Sequence, residues 1–197
     1  MICEALAECR RDPFPHTAAR ELIGADVAES VLRWMESEAP WKLKVANFYE
    51  QWELHLDRSV LPPGLDFLVA KNTIDSLMRT MLSPLTTGAL ELVEVTAHKL
   101  VPGQTIRIHN DFIADEESHR LLIQLNRGWS EVQGGVLMLF GSSQPDDIRR
   151  ALKPDHRSSF AFEISPRSFH AVSTIADGER FTIVYSFKTF SVGGIAN

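Results

Sequence analysis

With 197 residues, 44% of them hydrophobic and 23% charged, the chain is long enough for one well-packed domain and too apolar for a disordered one. A net charge of −6 argues against an electrostatic footprint for nucleic acid or an anionic membrane. No run reaches the apolar length of a membrane-spanning helix. Cys3 and Cys9 lie without metal-ligand spacing in an opening, "MICEALAECRRDPF", that has no apolar signal-peptide core. A reducing, cytoplasmic setting is therefore expected.

The chain reads as one domain over 1–197, with a helical support region over about 1–88 and a β core over about 89–190. Asp26 is placed to cap a helix in which Val27, Val31, Leu32, Trp34 and Met35 recur at helical spacing, ended by Pro40. A second helical segment follows "LPPG", with Phe67, Ile74, Leu77, Met78 and Met81 on one face and a stop at Ser83-Pro84. Between them "FYEQWELHL" reads equally as helix or strand. From about Leu90 strand-length runs follow one another: "ALELVEVTAHKLV", "TIRIHND", "RLLIQLN", "GGVLMLF", "SSFAFEI", "SFHAVS" and "RFTIVYSF". The polar stretch "GSSQPDDIRRALKPDHR" among them reads as a loop with room for a helical turn. Strands after helices predict a β sandwich or barrel backed by helices.

Side chains alternate along a strand, so "TIRIHND" puts Thr105, Arg107, His109 and Asp111 on one side. A face this polar is either wet or surrounds something that wants nitrogen and oxygen ligands. His170 follows in "SFHAVS", and Arg180 opens the last strand with Thr182, Val184 and Ser186 on its side. Phe181, Ile183, Tyr185 and Phe187 point the other way, towards a layer that the N-terminal helices can supply. Two histidines and one carboxylate are the donor set that holds non-haem Fe(II) with open coordination positions. An arginine deeper in the barrel supplies a fork for a distal carboxylate. Arg107 reads two ways, as a contact to a substrate or co-substrate carboxylate or as a partner for an acidic residue such as Glu94. His16, His55, His98, His119 and His156 read as structural or peripheral.

From "LVPGQTIRIHND" to "ERFTIVYSF", about half of the chain, the sequence resembles the Fe(II)/2-oxoglutarate-dependent oxygenases of the prolyl-hydroxylase type. The resemblance implies a double-stranded β-helix (jelly-roll) core. It implies Fe(II) bound by His109, Asp111 and His170, with 2-oxoglutarate and O2 as co-substrates. Arg180 would pair with the C5 carboxylate of 2-oxoglutarate, assisted by Thr182. Gln124 and Asn126 fall on the strand whose inward residues touch the co-substrate in relatives. Two tyrosines common in relatives are replaced, by Ile106 three residues before the first ligand and by Gln124 on the "LLIQLN" strand.

The expected activity is hydroxylation of an unactivated C–H bond, since related halogenases have a small residue where Asp111 stands. The expected substrate is an amino-acid side chain in a peptide, such as a ribosomal peptide natural product, with a free amino acid or small metabolite as the alternative. No nucleic-acid or membrane partner is expected. From other classes, a cupin-like metal-binding sensor would have no need of Arg180, and a zinc hydrolase would need a general base that the sequence does not offer.

Overall fold

The computed structural model describes residues 2, 3 and 6–190. In chain order the elements are β1 (Glu8–Arg10), β2 (His16–Ala19), α1 (Ala25–Ser37), β3 (Lys42–Val45) and β4 (Glu50–His55). They continue with α2 (Lys71–Leu77), β5 (Ala89–Leu100), β6 (Ile106–His109), β7 (His119–Gln124) and β8 (Leu137–Phe140). Last come β9 (Ile148–Leu152), β10 (Ser159–Glu163), β11 (His170–Val172) and β12 (Arg180–Phe190). Two antiparallel sheets result, one of eight strands in the order β1-β2-β10-β7-β12-β5-β4-β3 and one of four in the order β6-β11-β8-β9. This is the mainly-β, two-sheet arrangement expected of a jelly-roll core.

The alternation along β12 decides where the core and the site lie. Phe181, Ile183, Tyr185 and Phe187 join one apolar cluster with Val31, Leu32 and Met35 of α1 and with Ile74 and Leu77 of α2. The helices therefore cover the outer face of the large sheet, as expected. A second cluster, with Phe160, Phe162, Leu137, Leu139 and Val172, lies between the two sheets. The inner side of β12 is left free to line a cavity beside this second cluster.

Four features differ from the sequence reading. The first 88 residues supply four strands as well as helices. "FYEQWELHL" becomes β4, where Leu54 packs outward and Gln51, Glu53 and His55 face the small sheet, a period of two that the charged residues disguised. Gly24 rather than Asp26 is the N-cap of α1, with Asp26 in its first turn, where a carboxylate still favours the helix dipole. The second helical segment divides into a 3-10 turn (Asp66–Val69), α2 and a π-helical turn (Met78–Leu82). In the polar stretch after β8, the chain turns back to form β9, pairing Leu152 with Leu137, in place of a helical turn.

Candidate functional site

His109 ends β6 and His170 begins β11, and the two are direct cross-strand partners. Their ring centroids are 4.2 Å apart. Asp111 reaches them from just beyond the strand, not from its face. At φ +57° it takes the left-handed conformation, which aspartate tolerates better than most residues. The turn is held by Asn110, whose amide donates to the Pro166 carbonyl and whose side-chain oxygen accepts from Phe112 N–H. Asp111 Oδ1 is 3.3 Å from His109 Nε2, and Oδ2 is 3.2 Å from His170 Nε2. The three candidate ligand atoms lie within 4.8 Å of one another, a spacing that one ion can bridge.

Both rings are held by backbone carbonyls. His109 Nδ1 lies 2.8 Å from the Arg107 carbonyl and His170 Nδ1 lies 2.8 Å from the Ser168 carbonyl. A carbonyl can only accept, so each Nδ1 carries the proton and each Nε2 presents its lone pair to the site. Burial, aided by the neighbouring His109, lowers the His170 pKa and favours the neutral, ligating form. Burial works to raise the Asp111 carboxyl, but the Arg120 guanidinium beside it holds it well below the usual carboxylate range. Phe48 stacks on His109 at 4.4 Å, and the edge of Phe162 meets His170 at 4.9 Å.

The triad opens on a cavity of about 180 Å³ between the sheets, and Arg180 lies in its wall. Arg180 is 3% exposed. Its Nη1 donates to Thr182 Oγ1 at 2.9 Å, and the Thr182 hydroxyl in turn donates to Gln124 Oε1 at 2.9 Å. Nε and Nη2 have no partner. Burial pulls this guanidinium down to about 10. Such a group without an anion is costly unless a ligand supplies one. Gly135 makes room for it: at φ +65° it stands where a Cβ would come within 2.9 Å of Arg180 Cδ. The Gly-Gly pair in "GGVLMLF" thus has a steric purpose.

The remaining residues singled out in the sequence lie elsewhere. Arg107 does not share the cavity. The pairing of His170 with His109 and of Val172 with Ile106 puts three steps of β6 against two of β11, and this bulge breaks the alternation. Ile106 therefore joins His109 in the cavity wall, while Arg107 lines a separate recess and donates to the Asn47 carbonyl. Glu94 pairs with His55 and Arg58 instead. Asn126 is spent on the backbone: it accepts from Phe181 N–H and donates to the carbonyls of Phe181 and Pro154. Gln124 reaches the site through Thr182. His119 is buried beside Ser118 Oγ and does not line the cavity.

The sequence reading missed Arg120 and the β4 side of the cavity. Arg120 Nη1 donates to Asp111 Oδ2 at 2.7 Å and Nη2 to Glu117 at 2.6 Å. The alternation of Arg120, Leu122 and Gln124 along "RLLIQ" was the signal for it. Lys44, Tyr49, Gln51, Glu53, Thr96 and His98 line the cavity on the β3–β4–β5 side of the large sheet. Burial pushes His98 down to about 4, so it is neutral there.

Residues 95–188 match the profile of the 2OG-Fe(II) oxygenase superfamily. The chain is also 33% identical over 106 residues to the prolyl 3-hydroxylase OGFOD1 of Xenopus laevis, a match covering 51% of this chain and 20% of that protein. It therefore spans about a fifth of the length of that curated relative. Among solved structures it is similar to a Pseudomonas putida prolyl-4-hydroxylase, with TM-score 0.68 and 17% identity over 89% of this chain and 93% of that one. It is also similar to a Trichoplax adhaerens prolyl hydroxylase solved with a peptide fragment of the hypoxia inducible factor oxygen degradation domain. There the TM-score is 0.72, with 14% identity over 88% of this chain and 83% of that one. At these identities the structural likeness speaks to the fold. The matched core resembles that of the 2OG-Fe(II) oxygenases. Within that superfamily the likeness is to prolyl hydroxylases. That likeness implies Fe(II), 2-oxoglutarate and O2. The donor set and the unpartnered buried arginine fit the first two.

Proposed function

We infer that the protein is an Fe(II)/2-oxoglutarate-dependent dioxygenase that hydroxylates an unactivated C–H bond in an amino-acid side chain of a peptide. The observation that carries the reading is the pairing, in one cavity, of a His-Asp-His donor set with a buried arginine whose Nε and Nη2 are free. A metal-binding sensor or a zinc hydrolase leaves that fork without a purpose. His109, Asp111 and His170 would hold the metal, and Arg180 with Thr182 would take the distal carboxylate of 2-oxoglutarate. Bound Fe(II), with 2-oxoglutarate and O2, supplies the oxidative decarboxylation that transfers one oxygen atom to a C–H bond.

The chain's own residues supply placement. The Arg107 and Ser168 carbonyls hold the two Nδ1 protons and aim both Nε2 atoms at one point. Arg120 fixes Asp111 from behind and keeps it ionised. Gln124 orients the Thr182 hydroxyl, so that one arm of Arg180 is tied while Nε and Nη2 are left without a partner. Leu122, Leu137, Phe162 and Val172 provide apolar walls, which strengthen a charge-assisted hydrogen bond inside. Asp111 occupies the position whose loss marks halogenating relatives, which favours hydroxylation. The peptide assignment rests on likeness to prolyl hydroxylases. Its test is incubation of the Fe(II)-loaded protein with 2-oxoglutarate and a peptide library, read by mass spectrometry. A gain of one oxygen with matching succinate is expected; oxidation of free amino acids alone would contradict the peptide assignment.

A further inference from the structure

The β4 wall of the cavity holds a polar network with no part in binding the metal or the co-substrate. Glu53, His98, Thr182 and Gln124 form one row across β4, β5, β12 and β7. Glu53 thus stands two strand spacings, about 10 Å, from Thr182, and Arg180 lies two residues further along β12. Gln51 precedes it on the same face and is 3% exposed. The Gln51 amide nitrogen donates to Glu53 Oε1 at 2.8 Å and to His98 Nδ1 at 3.2 Å. Tyr49 OH donates to the same Glu53 oxygen at 3.2 Å, and Lys44 meets the other at 3.0 Å. His98 Nε2 is 3.0 Å from Thr96 Oγ1. Because Nδ1 accepts from Gln51, the ring proton sits on Nε2 and points at Thr96.

These bonds leave no choice about the orientation of Gln51. Turning the amide over would set its oxygen against the Glu53 carboxylate, 2.8 Å away. Its carbonyl oxygen, Oε1, is consequently fixed as an acceptor, and it is buried without a hydrogen-bond partner. A buried unpaired acceptor is unfavourable, and a donor brought into the cavity by a ligand would relieve it. 2-Oxoglutarate cannot be that donor: two carboxylates and a ketone offer acceptors only. Within the network, the Tyr49 hydroxyl donates to one Glu53 oxygen and Lys44 Nζ meets the other.

Building on the oxygenase reading, we propose that Gln51 is a specificity-determining residue whose Oε1 receives an N–H donor of the peptide substrate, in a lobe of the cavity separate from the co-substrate anchor. Glu53 and His98 act through Gln51 as positioning residues. The substrate class is thereby narrowed to one that brings an amide N–H into the cavity beside the oxidised carbon. An ester or N-methylated analogue at that place leaves Oε1 unpaired.

The experiment uses the full chain with Fe(II) and 2-oxoglutarate under argon, read by the visible metal-to-ligand charge-transfer band. First, 2-oxoglutarate is titrated into wild type, Gln51→Met and Arg180→Met. The dissociation constant should stay within about threefold of wild type in Gln51→Met. In Arg180→Met it should rise at least tenfold. Next, N-acetylated, C-amidated Ala-Xaa-Ala peptides are added, alongside a matched set with an ester replacing the amide N–H after Xaa. At least one amide peptide should perturb the wild-type band at tenfold lower concentration than its ester partner, and Gln51→Met should abolish that preference. A wild-type 2-oxoglutarate constant certifies that a variant is folded. If Gln51→Met does not fold, Gln51→Asn, which withdraws the carbonyl by one methylene, should reduce the preference instead. The proposal is overturned by a full amide preference in Gln51→Met. A weakened 2-oxoglutarate constant in that variant, or no response of an intact wild-type band to any peptide, overturns it equally. Absence of the band itself would count against the oxygenase reading rather than against Gln51.

Discussion

Arg180 and Arg107 show how differently two arginines can be read from sequence. Arg180 opens a strand whose two faces separate into polar and aromatic sets, so its inward direction followed from the period of two alone. Arg107 obeyed the same rule on paper, and a bulge in β6 turned it out to Asn47. No feature of "TIRIHND" announces that extra residue, since a bulge is set by the partner strand. Arg120, which does lie at the triad, opened the strand-length run "RLLIQLN", but nothing in the sequence tied its inward side to Asp111 nine residues earlier. Gln51 and Glu53 escaped for another reason, because a strand facing a polar cavity loses the alternation that would identify it. Three results are expected at this scale. His109→Ala and Asp111→Ala should each abolish succinate formation; turnover at the wild-type rate in either would remove that residue from the metal site. Arg180→Met should raise the 2-oxoglutarate concentration needed for half-saturation ten- to a hundredfold, the equivalent of the ~1.5–3 kcal/mol of a charge-assisted hydrogen bond, while leaving metal affinity intact. An unchanged 2-oxoglutarate dependence would take Arg180 out of the co-substrate site.

At the level of elements, the small sheet brings the candidate ligands together and the large sheet supplies Arg180. The HxD spacing and the distal histidine were legible because β6 and β11 are neighbours whose paired ends carry them. The joints between elements were not legible. Asn126 looked like an inward residue of β7, yet it lies beyond the end of that strand and clasps β12 to the loop at Pro154. Asn126→Ala strands the Pro154 carbonyl and the Phe181 N–H, while the Phe181 carbonyl keeps Leu125 N–H, and should destabilise the fold by about 2–4 kcal/mol in urea denaturation. At a temperature where the variant is folded, its 2-oxoglutarate affinity should match wild type. A marked loss of affinity with little loss of stability would show that Asn126 touches the co-substrate after all.

For the whole molecule, the acidic limit of stability follows from buried neutral histidines. Burial lowers His98 and His119 to about 4, from an ordinary value of 6.5. For such groups the unfolded chain binds protons more readily than the folded one, so stability is complete above about pH 6.5 and declines as pH falls towards 4. The loss approaches about 3 kcal/mol for each histidine near the lower end of that window. Urea midpoints measured from pH 7 to 4.5 should fall steadily, and His119→Gln should flatten part of the slope; a midpoint independent of pH across that range would contradict the assignment. The central claim is that the triad and Arg180 form one site for Fe(II) and 2-oxoglutarate. Its most direct test is the anaerobic addition of both to the purified protein. A visible charge-transfer band that requires both components, and that is absent from His109→Ala, is the predicted result. Tight Fe(II) binding with no such band at saturating 2-oxoglutarate would contradict the account.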